Sequence, residues 1–360
     1  MNLDEFEFGL DSFGEVSRDA SGRLLSDAET VRLMMDEAVL AESAGINSYN
    51  IGEHYRPGHV DSAGHVILAD IAGRTQGLRL GTSVTVLSTQ DPVRLYTQFA
   101  TLNAVSSGRA QLIVGRASTT DSFPLFGFDL ADYETLFEEK RDLFMRLMRD
   151  QPVTWSGTVR SALTEQRLQP AIEPDSIPVW VGVGGTPQSV IRAARYRLPL
   201  MLAIIGGPLS RFAPFVELYK RTLAQFGHPL LPVGVHSLGL IAPTDEAARA
   251  AYWPEYKAAF ESVARERGFT VTTLRQFENE VAGGALFVGS PEFVAAKIAA
   301  SIQDLGLSRF DLKYDIAHLA RDLRAQSIEF YGREVIPRVR ELLAEAPGQP
   351  IPAVQRAAES

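Results

Sequence analysis

Apolar residues fall along this chain in two alternating rhythms. Short unbroken runs rich in β-branched and aromatic residues, such as LIV before Gly115 and VWV before Gly182, give way to longer stretches whose apolar positions recur at helical spacing. Unbroken runs suit strands covered on both faces, and their alternation with helices is the mark of parallel strands joined by right-handed crossovers. The pattern predicts strands at residues 7–10, 48–52, 78–86, 110–114, 178–181, 200–204, 234–241 and 309–314. Helix signals fit between them. Ser26 and Glu29 form a capping box ahead of Val31, Met34, Met35 and Ala38, and Gly45 stands at the stop position. Ser290, Pro291 and Glu292 open another helix, predicted to end near Leu305, and residues 133–149 set Leu136, Leu143 and Leu147 along one stripe.

Eight strand and helix pairs define an α/β protein, a (β/α)8 TIM barrel with insertions after strands. The barrel is expected to span residues 1–345, and the Pro-, Ala- and Gln-rich tail at 346–360 to be disordered. Extra residues collect at 117–132, 151–176 and 268–288. The first and last are expected to follow strands, where barrel enzymes carry their active-site loops. An open doubly wound sheet has the same periodicity, but GLDSFGEVSRD after the first strand lacks the G-x-G-x-x-G spacing of that fold's dinucleotide site.

Composition narrows the chemistry. Of 360 residues, 45% are apolar and 22% charged, enough to bury a sizeable core. Acidic residues outnumber basic ones by 44 to 35, so long-range attraction to nucleic acid or an anionic membrane is not expected. With no cysteine there is no disulfide, thiolate metal site or cysteine nucleophile. The acidic start MNLDEFEFGLDSF lacks the layout of a signal peptide, and the apolar run at 199–209 is too short and too broken to span a bilayer, so a cytoplasmic location is expected.

At a barrel mouth, polar residues just past strand ends bind ligands. His54 follows SYNIG beside Glu53, where an imidazole serves as acid, base or donor near neutral pH; a hydrogen-bonded strand end is the plain alternative. Arg116 follows LIVG with Ser118, Thr119 and Thr120 close by, a donor set matched to phosphate or equally to a surface ion pair. The loop GVGGTPQS at 182–189, holding Gly184, Gly185, Gln188 and Ser189, leads into a helix and reads as a phosphate cradle or a simple turn. Gly81, Thr82 and Ser83 put small side chains inside the third strand, which marks a bulge, tight packing or close approach of a flat ligand. His59, His65, His228, His236 and His318 have weaker cases, lacking partners at a recognised metal spacing.

Taken together, AESAGINSYNIGEHY at 41–55 and the block LRLGTSVTVLSTQDPVRLYTQFATLNAVSSGRAQLIVGRAS at 78–118 resemble the bacterial luciferase-like flavin monooxygenase family. ESVARERG, FVGSPEFVAAKI and SIEFYGREVIPRVRE extend the likeness from about residue 6 to 343. The resemblance implies a barrel that binds flavin mononucleotide (FMN), taken up reduced as a co-substrate, and reacts it with O2 to oxidise a small organic molecule. Some members use a deazaflavin coenzyme instead. It implies that His54 lies near the reactive face of the flavin as a catalytic residue, with Glu53 beside it either orienting it or pairing with a neighbouring loop. Ser83 and Val84 form a bulge beneath the ring, their peptide bond being a candidate for the cis form, and Arg116, Ser118, Gly184, Gly185, Gln188 and Ser189 hold the phosphate. Apolar residues Phe123, Pro124, Phe126 and Phe128 would supply a lid, a separate flavin reductase the reduced cofactor, and two copies would pair as a homodimer.

Three positions depart from luciferase itself. Gly115 replaces a reactive cysteine, Tyr55 the second histidine of Glu-His-His, and Gly184-Gly185 an acidic residue and serine, so light-emitting aldehyde oxidation is not expected. Two readings from other classes stay open. One is a non-catalytic flavin-binding protein on the same fold; the other is a metal-dependent barrel hydrolase built on His54, His59, Asp61 and His65. The second lacks a His-x-His pair on the first strand, and no metal site is expected.

Overall fold

The computed structural model describes residues 6–116, 120–149, 151–172, 176–267 and 272–345. Ser118, Thr119 and the tail at 346–360 lie outside the described residues. The strands are β1 (Glu7–Ser12), β2 (Ser48–Ile51), β3 (Arg79–Val86), β4 (Leu112–Gly115), β5 (Val153–Trp155), β6 (Leu163–Gln166), β7 (Val179–Val183), β8 (Leu200–Ala203), β9 (Val233–Ile241), β10 (Phe287–Gly289) and β11 (Arg309–Lys313). Of these, β1, β2, β3, β4, β7, β8, β9 and β11 pair in parallel in chain order, and β11 pairs with β1 to close the ring. The result is a closed (β/α)8 barrel, and the open sheet is ruled out. Each predicted strand falls on one of the eight.

The insertions were less legible. Residues 151–176 hold an antiparallel β5–β6 hairpin. The third insertion follows the helix Asp245–Arg267 rather than a strand; its described part forms the helix Leu274–Gly283 and then β10. The cause lies in β9, whose residues 234–238 pair with β11 and whose last residues run past it, leaving an edge that β10 covers through Phe287 to Gly289. An exposed edge of this kind is a pairing hazard, and the extra strand removes it.

Helices start where the sequence signals them. Ser26 and Glu29 cap Asp27–Ser43 reciprocally, and Ser290 caps Pro291–Leu305, which Gly306 ends in the left-handed conformation. Among the described residues no helix is long and apolar enough to cross a membrane. Inside the barrel, however, the filling is only partly apolar. Ile113, Trp180 and Met201 pack together, while a chain of hydrogen bonds crosses the rest. Arg309 grips Asp311 and donates to Gln111 Oε1 at 2.8 Å; Gln111 donates to Asn50 Oδ1 at 2.8 Å; Asn50 donates to Asp11 Oδ1 at 2.8 Å. Buried polar groups stay stable only when paired, and this chain leads upward from the barrel floor to the mouth.

Candidate active site

A cavity of about 330 Å³ opens at the C-terminal ends of the strands. Glu53, His54, Ser83, Val84, Arg116, Gly184, Gly185 and Ser189 all line it, although they come from four separate strand ends. Gln188 is exposed and its side chain does not line the cavity.

The third strand forms the ledge. Its register against β4 shifts between Ser83 and Thr85, and the Ser83–Val84 peptide is cis. This bulge turns Val84 toward β4 and β7, where it packs on Ile113, Trp180 and Met201. Two glycines leave the room: a Cβ on Gly115 would sit 2.8 Å from Val84 Cγ2, and one on Gly182 would sit 2.7 Å from Val84 Cγ1. The departure at Gly115 thus has a local cause, since a cysteine there would collide with Val84.

Beyond the ledge lies a cationic corner. Arg116 Nη2 donates to Ser189 Oγ at 2.9 Å, and Thr186 Oγ1 donates to the same oxygen at 2.8 Å. With two bonds accepted, the Ser189 hydroxyl hydrogen remains free to donate. Thr186 opens the helix Pro187–Arg195 without capping it by its side chain; Pro187 carries no N–H and the N–H groups of Ser189 and Val190 bond Thr186 O, so the backbone N–H of Gln188 is the first-turn donor left for a ligand. Gly185, at φ +112, takes a backbone conformation that side chains disfavour. Arg116 also pairs with the largely exposed Glu134, which Arg192 bonds from the other side at 3.1 Å.

His54 is held by a residue that the sequence marked only as a possible metal ligand. Its Nδ1 lies 2.7 Å from the fully buried Asp61 Oδ2, and its backbone N–H donates to Asp61 Oδ1 at 3.1 Å. With the carboxylate accepting from Nδ1–H, Nε2 keeps its lone pair. Glu53 serves the loop after β3 instead, accepting from Val86 N at 2.9 Å, Gln90 Nε2 at 2.7 Å and Tyr55 Oη at 2.7 Å. Burial pushes its carboxyl above the usual range. The His59 ring lies tilted against His54 at 4.8 Å, but His65 bonds Gln98 at 3.1 Å, and among the described residues no three His, Cys, Asp or Glu side chains are grouped to hold a metal ion.

The lid expectation needs correction. Ser122 and Tyr133 border the cavity, whereas Phe123 is buried behind Tyr133 at 5.5 Å and Phe126 packs edge-on against Tyr55 at 4.9 Å. Phe123 and Phe126 therefore brace the wall from behind Tyr133 and Tyr55 rather than form its inner surface. Phe13 and His236 line the cavity too; nothing in the sequence pointed to Phe13, and His236 stood among the weaker histidines. The signal for His236 was a titratable side chain inside the apolar run VGVHSLGLI.

Comparison with known proteins agrees with this architecture. A family model for luciferase-like monooxygenases matches residues 12–309. The F420-dependent glucose-6-phosphate dehydrogenase of Microbacterium testaceum is 24% identical over 342 residues, covering 86% of this chain and 94% of that protein. Among solved structures, the monooxygenase RslO1 of Streptomyces bottropensis superposes with a TM-score of 0.81 at 22% identity, over 92% of this chain and 99% of the other. The oxygenating constituent of 3,6-diketocamphane monooxygenase of Pseudomonas putida, solved with FMN, gives 0.74 at 20% identity over 93% and 98%. This chain belongs to the luciferase-like monooxygenase family. It is an oxidoreductase.

Proposed function

We propose that the protein is a monooxygenase that uses reduced FMN and O2 to oxidise a small organic substrate. One observation carries the reading: the Arg116–Ser189–Thr186 corner and the Ser83–Val84 ledge face one cavity whose size suits a cofactor site. An arginine fork, a free hydroxyl hydrogen and the Gln188 backbone N–H at a helix start are donors that a phosphate needs. The flat ledge that Gly115 and Gly182 permit is what a planar ring needs. The FMN-bound relative and the monooxygenase neighbours support the choice of FMN and oxygen.

Bound reduced flavin would supply the electrons that activate oxygen. The chain's own residues do the rest. Arg116, Ser189 and the first turn of Pro187–Arg195 hold the phosphate, with Gly184 and Gly185 letting the backbone come close. Val84 supports the ring. Met201, Ala203, Ile205 and Val86 form an apolar wall for the substrate and keep water away from the reacting atoms. His54, fixed by Asp61, takes or returns a proton at Nε2. A separate reductase, expected from the resemblance, is proposed to supply the reduced flavin. A homodimer, expected from the resemblance, is part of the same proposal and is checked by sedimentation.

Calorimetric titration with FMN and with a deazaflavin coenzyme, followed by oxygen-uptake assays with reduced FMN, tests the reading. FMN binding with substrate-dependent uptake supports it. Deazaflavin binding alone moves the chain to the F420-type relatives, binding without any turnover makes it a flavin-binding protein, and binding of neither defeats the proposal.

A further inference from the structure

A second histidine and carboxylate pair faces the cavity. His236, on β9, is 4% exposed and lines the floor next to Met201 and Ala203 of β8, its neighbouring strand. Its Nδ1 bonds Asp11 Oδ2 on β1, which lies 225 residues away in the chain. Asp11 is fully buried and hydrogen-bonded through both oxygens: Ser83 Oγ donates to Oδ2 at 2.8 Å and Asn50 Nδ2 to Oδ1 at 2.8 Å. Its carboxylate therefore ties His236 to the residue that begins the ledge. Phe13 lies between the two histidines, its ring nearly parallel to His236 at 5.5 Å and tilted on His54 at 4.7 Å.

A histidine kept only for packing would not need a fully buried carboxylate anchored by two further donors. That arrangement sets the ring angle and places the proton on Nδ1, which leaves Nε2 as the atom available to a ligand. Because Phe13 separates the pairs, each works on its own side of the cavity. The charged groups facing His236 are Asp11 from β1 and, from β11, Asp311 with Arg309 clamped on it; Lys313 lies over the far side of Phe13 at 4.7 Å. The packed faces of β3 and β8 contribute Ser83, Met201 and Ala203, none of them charged.

We propose that His236, oriented by Asp11, is a second catalytic residue, donating a proton from Nε2 to an oxygen atom of the ligand that lies against the Ser83–Val84 ledge. The inference rests on the flavin monooxygenase reading above. In such a reaction one oxygen atom enters the substrate and the other leaves as water, so an oxygen that gains negative charge must receive a proton. With Nδ1–H held on Asp11, Nε2 first takes a proton from solvent at the open mouth and then passes it to that oxygen, after which the ring is neutral again and Nδ1–H has stayed on Asp11. His54 is then left to act on the substrate side.

The test uses His236→Gln and Asp11→Asn in the full chain, with FMN affinity, kcat against pH and histidine 15N spectra as readouts. FMN affinity within about threefold of wild type, with kcat lowered roughly 100-fold and one limb of the pH profile lost, is expected for His236→Gln, the size general acid catalysis commonly has. Adding oxidised FMN to the wild type should shift the His236 Nε2 resonance, and Asp11→Asn should abolish the downfield Nδ1 proton. Retained FMN binding with wild-type kcat and pH profile in His236→Gln overturns the proposal, as does an Nε2 signal that ignores bound FMN. If the wild type binds no flavin, the failure lies in the underlying reading. Should Asp11→Asn not fold, His236→Gln and the spectra of the wild type decide alone.

Discussion

Arg116 and Ser189, separated by 73 residues of chain, meet through a 2.9 Å hydrogen bond from guanidinium to hydroxyl. One residue follows β4 and the other lies in the first turn of the helix after β7; pairing of those two strands brings them together. The contact joins the two features that the sequence marked separately as phosphate-binding. Replacing Arg116 by Ala should weaken FMN binding by about 10- to 100-fold, the value of a charged hydrogen bond or two, with little change in turnover at saturating flavin. Calorimetry checks this, and an unchanged dissociation constant would take Arg116 out of the site.

His54 and Asp61 form a unit in which the carboxylate fixes the imidazole. His54→Ala should lower kcat roughly 100-fold and leave FMN affinity within a few fold. Asp61→Asn should lower kcat in the same direction, because the amide cannot hold the same tautomer. Full activity in both variants, measured with saturating reduced FMN, would end the assignment.

The ledge offers a packing test. Gly115→Ala and Gly182→Ala each press a methyl group into Val84, at 2.8 and 2.7 Å, and should destabilise the fold by roughly 1–3 kcal/mol while impairing FMN binding. Combining either with Val84→Ala should restore much of the stability in denaturant titration. Simple additivity of the single effects would show that Val84 and the glycines do not share this space.

A fully buried carboxyl gives a pH signature away from the cavity. Burial pushes Glu37 up to about 7, against the pull of Arg324 and of the Tyr314 hydroxyl, which donates to it at 2.6 Å. The folded state thus holds this proton more tightly than the unfolded chain does. Glu37 contributes no penalty below its ordinary value of 4.5, and stability falls as pH rises from there through about 7. Glu37→Gln keeps an acceptor for Tyr314 and should gain on wild type across that window by on the order of 3 kcal/mol. A stability difference between the two that is flat from pH 4.5 to 8 contradicts this.

What the sequence determined by itself was whatever depends on residues close together in the chain. Apolar runs marked all eight barrel strands, caps at Ser26 and Ser290 marked their helices, and strand-end position singled out His54, Arg116 and Ser189, because backbone pairing and burial leave local periodicities. It missed β10, a three-residue strand whose existence depends on how far β9 outruns β11. It left open whether Glu53 orients His54 or pairs with a neighbouring loop; successive residues at a strand end point apart, so Glu53 goes to the loop after β3 and Asp61 reaches the imidazole from the following loop. The tertiary structure alone decided that Asp11, Ser83 and His236 share one carboxylate, since closing the ring converts equal depth in separate strands into contact. It likewise decided that Gly115 and Gly182 are glycines for the sake of Val84, a demand made by volume in three dimensions and not by any pattern along the chain.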